Sequence, residues 1–149
     1  MTSNGRSESS QRSAQLVRDF IEAVWNGGDA EAVDRFVTPD YVMHDPVDKE
    51  PVEGPAELKE LVHAYRTAFP DLVNTIEEQF VCGDRVVTRW SSVGTHQGPA
   101  FGVPPTGRTR HVTGVQISRI ENDRVAEDWH HWDTFGMLCQ LGAIADPRD

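Results

Sequence analysis

Along the first quarter of the chain, Leu16, Val17, Phe20, Ile21 and Val24 recur three and four residues apart. That spacing puts them on one face of a helix, and Asn26-Gly27-Gly28 ends it with residues that tolerate positive φ. Asp29 is then placed to accept hydrogen bonds from the first free N–H groups of a short second helix. Ala32, Val33, Phe36 and Val37 of that helix face inward, and Pro39 follows its end. Tyr41 to His44 is a short strand-like run broken by Asp45-Pro46. After a polar loop, Gly54-Pro55 opens a third helix, in which Leu58, Leu61, Val62, Tyr65 and Phe69 repeat at helical spacing until Pro70 stops it.

From Val73 the apolar period changes to two. Residues 73–82 and 85–96 read as strands joined by the turn Cys82-Gly83-Asp84. The stretch 97–109 holds three glycines and three prolines, which cannot extend a ladder, so it reads as a long loop. Residues 110–120 and 124–133 form two further strands around Glu121-Asn122-Asp123, and residues 135–141 a short terminal turn or helix. Helices grouped before an antiparallel run predict an α+β fold, with a curved sheet wrapped against the helices and one concave apolar face. Residues 1 to about 12 are polar without apolar period and read as a disordered tail, leaving residues 13–149 as a single domain.

Composition narrows the function. With 149 residues the chain suffices for one domain with its own core, and two cysteines, Cys82 and Cys139, exclude a disulfide scaffold. Fourteen basic against 24 acidic side chains give a net charge of −10, and no Lys/Arg run interrupts it. Such a field repels phosphate backbones and anionic membranes, so no nucleic-acid or membrane partner is expected. The N-terminus lacks the apolar stretch of a signal peptide, and no segment approaches the roughly 20 apolar residues that span a bilayer; a soluble, cytoplasmic protein is expected.

The densest chemistry lies in Glu127-Asp128-Trp129-His130-His131-Trp132-Asp133. On a strand, Glu127, Trp129, His131 and Asp133 share one face and Asp128, His130 and Trp132 the other, unless a bulge intervenes. One set faces the concave cavity, and the sequence leaves open which. A carboxyl beside an indole in a partly apolar pocket has its charged form disfavoured, which suits proton transfer. The plain structural reading is that these tryptophans merely pack on the helices. Arg119, on the neighbouring strand, could sit at a cavity rim and hold a carboxylate or polarise a carbonyl; the alternative is an exposed strand-end arginine. His111 shares its face, and His44 and Trp90 are further strand residues that could reach a pocket. No phosphate-binding glycine loop or G-x-S-x-G nucleophile turn occurs. His130 and His131 point to opposite faces and no H-x-H or H-E-x-x-H spacing exists, so no metal site is expected.

Together these segments resemble the SnoaL-like polyketide cyclases, also called predicted ester cyclases, of the nuclear-transport-factor-like superfamily. The resemblance rests on Val24-Trp25-Asn26 with Gly28-Asp29, on Pro39-Asp40-Tyr41-Val42 with His44-Asp45-Pro46, and on Ala68-Phe69-Pro70-Asp71-Leu72. Gly94-Thr95-His96, Gly102, Pro105-Thr106-Gly107-Arg108, the run from Glu127 to Asp133 and Gln140-Leu141-Gly142 complete it. It implies a cone-shaped, cystatin-like fold with a curved antiparallel sheet packed against three N-terminal helices. It further implies cofactor-free acid/base chemistry, in which an aspartate serves the intramolecular aldol closure of a polyketide ester, and a homodimer or higher homo-oligomer. By motif position the acid is Asp133; His131 and Trp129 share its face as first-choice neighbours, and His44, Trp90, His111 and Arg119 remain candidate pocket residues from their strand positions. If the register differs, Asp128, His130 and Trp132 line the pocket instead. The expected function is an acid/base enzyme on a small hydrophobic carbonyl compound. Its rival is a non-catalytic module that binds a hydrophobic ligand or dimerises through its sheet.

Overall fold

The apolar stripe of the first helix is buried as its spacing predicts: Val17, Phe20, Ile21 and Val24 are all 4 % exposed or less. In the computed structural model, described over residues 2–149, this helix is α1, Thr2–Phe20, continued by one π-helical turn, Ile21–Asn26. Gly28, at φ 67°, makes the left-handed step that ends it. The N-terminal segment read as a tail is helical from Thr2 onward. A helix nucleated on the buried stripe gains one hydrogen bond per residue as it extends, and no proline interrupts residues 2–12.

The Asp29 side chain accepts from the Ala32 N–H at 3.2 Å, and a 3-10 turn, Ala30–Ala32, runs into α2, Val33–Phe36. Val37 and Pro39 belong not to that helix and its end but to strand β1, Val37–His44. Pro39 is accommodated because the ladder to the neighbouring strand is irregular between Val37 and Val42, where no amide is required. Two residues of the expected polar loop form an edge strand, β2, Val52–Glu53. Helix α3, Gly54–Ala68, follows, with proline in its first turn. Strands β3 (Val73–Cys82), β4 (Arg85–Thr95), β5 (Thr109–Glu121) and β6 (Arg124–Trp132) then precede α4, Thr134–Gln140.

All six strands form one sheet in the order β2-β1-β6-β5-β4-β3. Only the β1–β6 pair is parallel. With its helices, this is the predicted α+β fold. Helix α1 packs on β3 and β4, and α3 on β1. Along β5 the alternation is strict: Arg110, Val112, Gly114, Gln116 and Ser118 are buried, whereas Thr109, His111, Thr113, Val115 and Ile117 are exposed. Strand β6 carries a bulge at Ala126, since Glu127 pairs with Arg119 and Val125 with Ile120. Beyond it Asp128, His130 and Trp132 face the same side as Ser118, Gln116 and Gly114, their register partners. Two apolar clusters fill the concave side. One is built on α1, β1 and α3 around Phe20, Tyr41 and Leu58, the other on Phe69, Leu72, Val112, Met137 and Leu141. Among the described residues no helix is long and apolar enough to cross a membrane.

Candidate active site

Between the two clusters a cavity opens onto the concave face. Ile21, Trp25, Leu61 and Tyr65 come to it from the helical side, Met43 from β1, and Leu72 and Asn74 from the start of β3. Trp90 and Ser92 of β4, Arg110 and Gln116 of β5, and His130 and Trp132 of β6 form its floor, with Asp45 just past β1. The floor is open because of Gly114: a Cβ there would lie 2.8 Å from Cβ of Trp132 and closer still to the Trp90 ring. Any larger residue would push the two indoles apart. Phe101, at φ 52° in the long loop, stands between Tyr65 and Trp132 with ring centroids 6.1 and 6.0 Å away.

A carboxylate, Asp45, and an imidazole, His130, both line this cavity. His44 is the register partner of Trp129 across the parallel β1–β6 pair, and the next residue along each chain segment, Asp45 and His130, lines the cavity. The Asp45 carboxylate accepts from Trp132 Nε1 at 2.8 Å and from the Val47 N–H at 3.0 Å, which fixes its orientation. One step down β6 from His130, Asp128 is completely buried. It accepts from the Tyr41 hydroxyl at 2.7 Å and from Ser118, whose hydroxyl oxygen accepts in turn from the Gln116 amide. Burial pushes the Asp128 carboxyl up, opposed by the charge of His130 and by the two hydroxyl bonds. Tyr41 and Tyr65 are likewise raised by burial, so both phenols keep their protons.

Other polar groups here lack partners. Trp90 Nε1, Ser92 Oγ and Arg110 Nε are buried without any hydrogen bond. The Arg110 guanidinium lies 4.5 Å over the Phe69 ring, and burial lowers its pKa to about 10. Among the described residues no three His, Cys, Asp or Glu side chains converge as a metal site would require.

Of the site residues expected from sequence, the structure gathers Trp90, His130 and Trp132 at the cavity. The others lie elsewhere. Asp133 caps α4, its carboxylate accepting from the Gly136 N–H at 2.8 Å, and His131 is exposed. Both lie outside the cavity because alternation after the Ala126 bulge gives the concave side to the even-numbered residues. Trp129 is on the outer face, stacked on His44 at 5.5 Å, and His44 bonds Glu127 at 2.7 Å. Arg119 pairs with Glu121 and Glu127 on that same face, and the exposed His111 is tied through its backbone to the Gln140 side chain. Sequence reasoning passed over Asp45, Tyr65, Asn74, Arg110 and Gln116. Arg110 and Gln116 were hidden because a concave face that mixes Arg, Val, Gly, Gln and Ser reads like a solvent face. The available signal was their shared parity along β5.

Comparison with known proteins gives consistent matches. A family model described as SnoaL-like polyketide cyclase matches residues 15–141. Nogalonic acid methyl ester cyclase of Streptomyces nogalater is 30% identical over 125 residues, covering 80% of this chain and 90% of that relative. The structure of TsrD from Streptomyces laurentii superimposes with a TM-score of 0.79 at 29% identity, covering 89% of this chain and 96% of the other. IdmH of Streptomyces antibioticus, a candidate polyketide cyclase, gives a TM-score of 0.76 at 31% identity, covering 87% and 98%.

Proposed function

The chain belongs to the SnoaL-like polyketide cyclase family, and on that premise we propose that it closes a ring in a small hydrophobic carbonyl or polyketide-ester compound by an intramolecular aldol reaction, without a cofactor. The observation that carries this reading is that His130 and Asp45 both line one otherwise largely apolar cavity. An imidazole and a carboxylate are the side chains that most often take and return protons in catalysis. In this reading His130 removes a proton from the carbon next to a carbonyl. The resulting enolate carbon attacks a second carbonyl of the same molecule. The proton then returns, through His130 or Asp45, to the new alkoxide oxygen. Atoms balance within the substrate: one C–H bond and the π bond of the attacked carbonyl are broken, one C–C and one O–H bond are made, and no co-reactant is consumed. Trp90 lines the cavity and its Nε1, buried without a partner, is suited to donate to the enolate oxygen, and Gln116, partner of His130 across the ladder, to hold the substrate carbonyl. The acid/base role expected of Asp133 and His131 passes in this reading to His130 and Asp45.

The test is turnover of a panel of polyketide carboxylic acids, their methyl esters and β-keto esters. His130→Gln is expected to lose about 100- to 10,000-fold in kcat, the usual span for a general base, while Asp133→Asn keeps wild-type activity. Equal loss in the two variants would return the role to Asp133. Absence of any turnover across the panel, with binding intact, would favour a non-catalytic ligand-binding module. Two further expectations belong to this proposal: residence in the cytoplasm, and homodimerisation through the outer sheet face, where Val93, Val115 and Ile117 are exposed. A monomer in sedimentation would remove the second.

A further inference from the structure

Arg110 is only 4 % exposed, and its position is unlike that of the chain's ion-paired arginines. Arg85, Arg89, Arg119 and Arg148 lie nearer solvent and each meets a carboxylate. Arg66 donates to the carbonyls of Leu72 and Pro70. Among the described residues, Arg110 has neither an ion pair nor a side-chain hydrogen bond, and its Nε is buried without an acceptor. Asp71, whose charge acts on it, has both oxygens bonded by Thr95. The guanidinium rests on the Phe69 ring and lines the cavity. Diagonally across the β4–β5 ladder, Ser92 also faces the cavity with its hydroxyl oxygen buried and unpartnered. A desolvated cation with an unpartnered hydroxyl beside it is a half-built anion site, because a charge taken from water must be paired to be held.

We propose that the cavity binds an aromatic or polycyclic carboxylic acid, its carboxylate held by Arg110 and Ser92 and its apolar body lying between Trp25, Leu61, Trp90 and Trp132. This rests on the reading of the cavity as the ligand site and adds the charge of the ligand to it. The planar guanidinium fork matches a carboxylate in two parallel N–H···O bonds, which a neutral ester cannot reproduce. Burial lowers the Arg110 pKa only to about 10, so the side chain still carries its charge at neutral pH. The indole and leucine walls accept the remaining apolar surface.

The experiment compares 2-naphthoate with methyl 2-naphthoate, which share one aromatic body, by quenching of tryptophan fluorescence and by calorimetry. The intact protein is expected to bind the acid about 30-fold more tightly than the ester, an ordinary yield for charge-assisted hydrogen bonds in a desolvated site. Arg110→Met should bring the two ligands within about 3-fold, chiefly by weakening the acid. Arg110→Lys, which keeps the charge and loses the fork, should retain an intermediate preference and serves if the methionine variant fails to fold. Equal binding of acid and ester by the wild type overturns the carboxylate site and leaves the cavity reading standing. A preference for acid that survives in Arg110→Met overturns it too, since the charge would then be met elsewhere. If neither compound binds, the proposal and the cavity reading fall together.

Discussion

The two faces of β6 carry the same chemistry in different surroundings. Outward go Glu127, Trp129 and His131; inward go Asp128, His130 and Trp132. Each face thus presents an acid, an indole and an imidazole. On the outer face the Glu127 carboxylate is answered at the surface. Glu127 receives His44 at 2.7 Å and Arg119 at 3.3 Å, Arg119 also meets Glu121, and Arg85 sits over Trp129 at 5.5 Å. There the bond from His44, first, and the Arg119 contact outweigh burial and hold the Glu127 carboxyl below its ordinary value. On the inner face burial holds Asp128 above its ordinary value, and the cavity leaves Arg110, Trp90 and Ser92 with unanswered polar atoms. Residue identity is therefore a poor guide to function on this strand. What separates a solvated ion-pair cluster from a site is desolvation, because a group with water at hand needs no ligand and a group without it does.

The sharpest way to break this contrast is to delete the acid on each face. Asp128→Ala should cost about 3 kcal/mol in urea denaturation, since it leaves the buried hydroxyls of Tyr41 and Ser118 without their acceptor. If it costs no more than Glu127→Ala, the distinction between the faces fails. Against the neutral isostere Asp128→Asn, the wild type should lose stability as pH rises. A carboxyl held above 3.8 stabilises the fold while protonated and ceases to do so once pH passes its raised value.

Next in size is Gly114→Ala, expected to cost about 2 kcal/mol and to weaken ligand binding, because the added methyl collides with the indoles that wall the cavity. Unchanged binding in that variant would show that ligands enter elsewhere. Asp133→Ala should cost about 1 kcal/mol by uncapping α4, with turnover unaffected. Smallest is Glu127→Gln, about 0.5 kcal/mol near neutral pH, as befits a partly exposed pair. Because Glu127 is held below 4.5, its contribution is present above that value and fades as pH falls through the lowered one. Denaturation of this variant and the wild type should therefore converge in acid.

How far each feature could be read in advance follows the range of the forces involved. The stripe from Val17 to Val24, the Asp29 cap, proline in the first turn of α3 and the alternation of β5 are local, and each lies where the spacing puts it. Val37 and Pro39 have the local pattern of a helix end yet lie in β1, because the irregular ladder to β6 that tolerates a proline is made by residues more than eighty positions away. Helix α1 outruns its apolar stripe because propagation from a packed nucleus requires no apolar residues of its own. Arg110 was passed over for a related reason: no local pattern distinguishes an arginine under a cavity from one facing water.

Sequence by itself determined the first and third helices, the four long strands, the α+β order, the family and the seven-residue run that carries most of the candidate chemistry. It also confined the alternatives for β6 to two faces, each with its own acid, indole and imidazole. The choice between those faces belonged to the tertiary structure. Strand parity is set by register with β5 and β1 and by the bulge at Ala126, and a shift of one residue turns every side chain over. Those pairings join residues far apart in the chain, so only the folded sheet brings His130 and Asp45 to one cavity and leaves Asp133 to cap a helix.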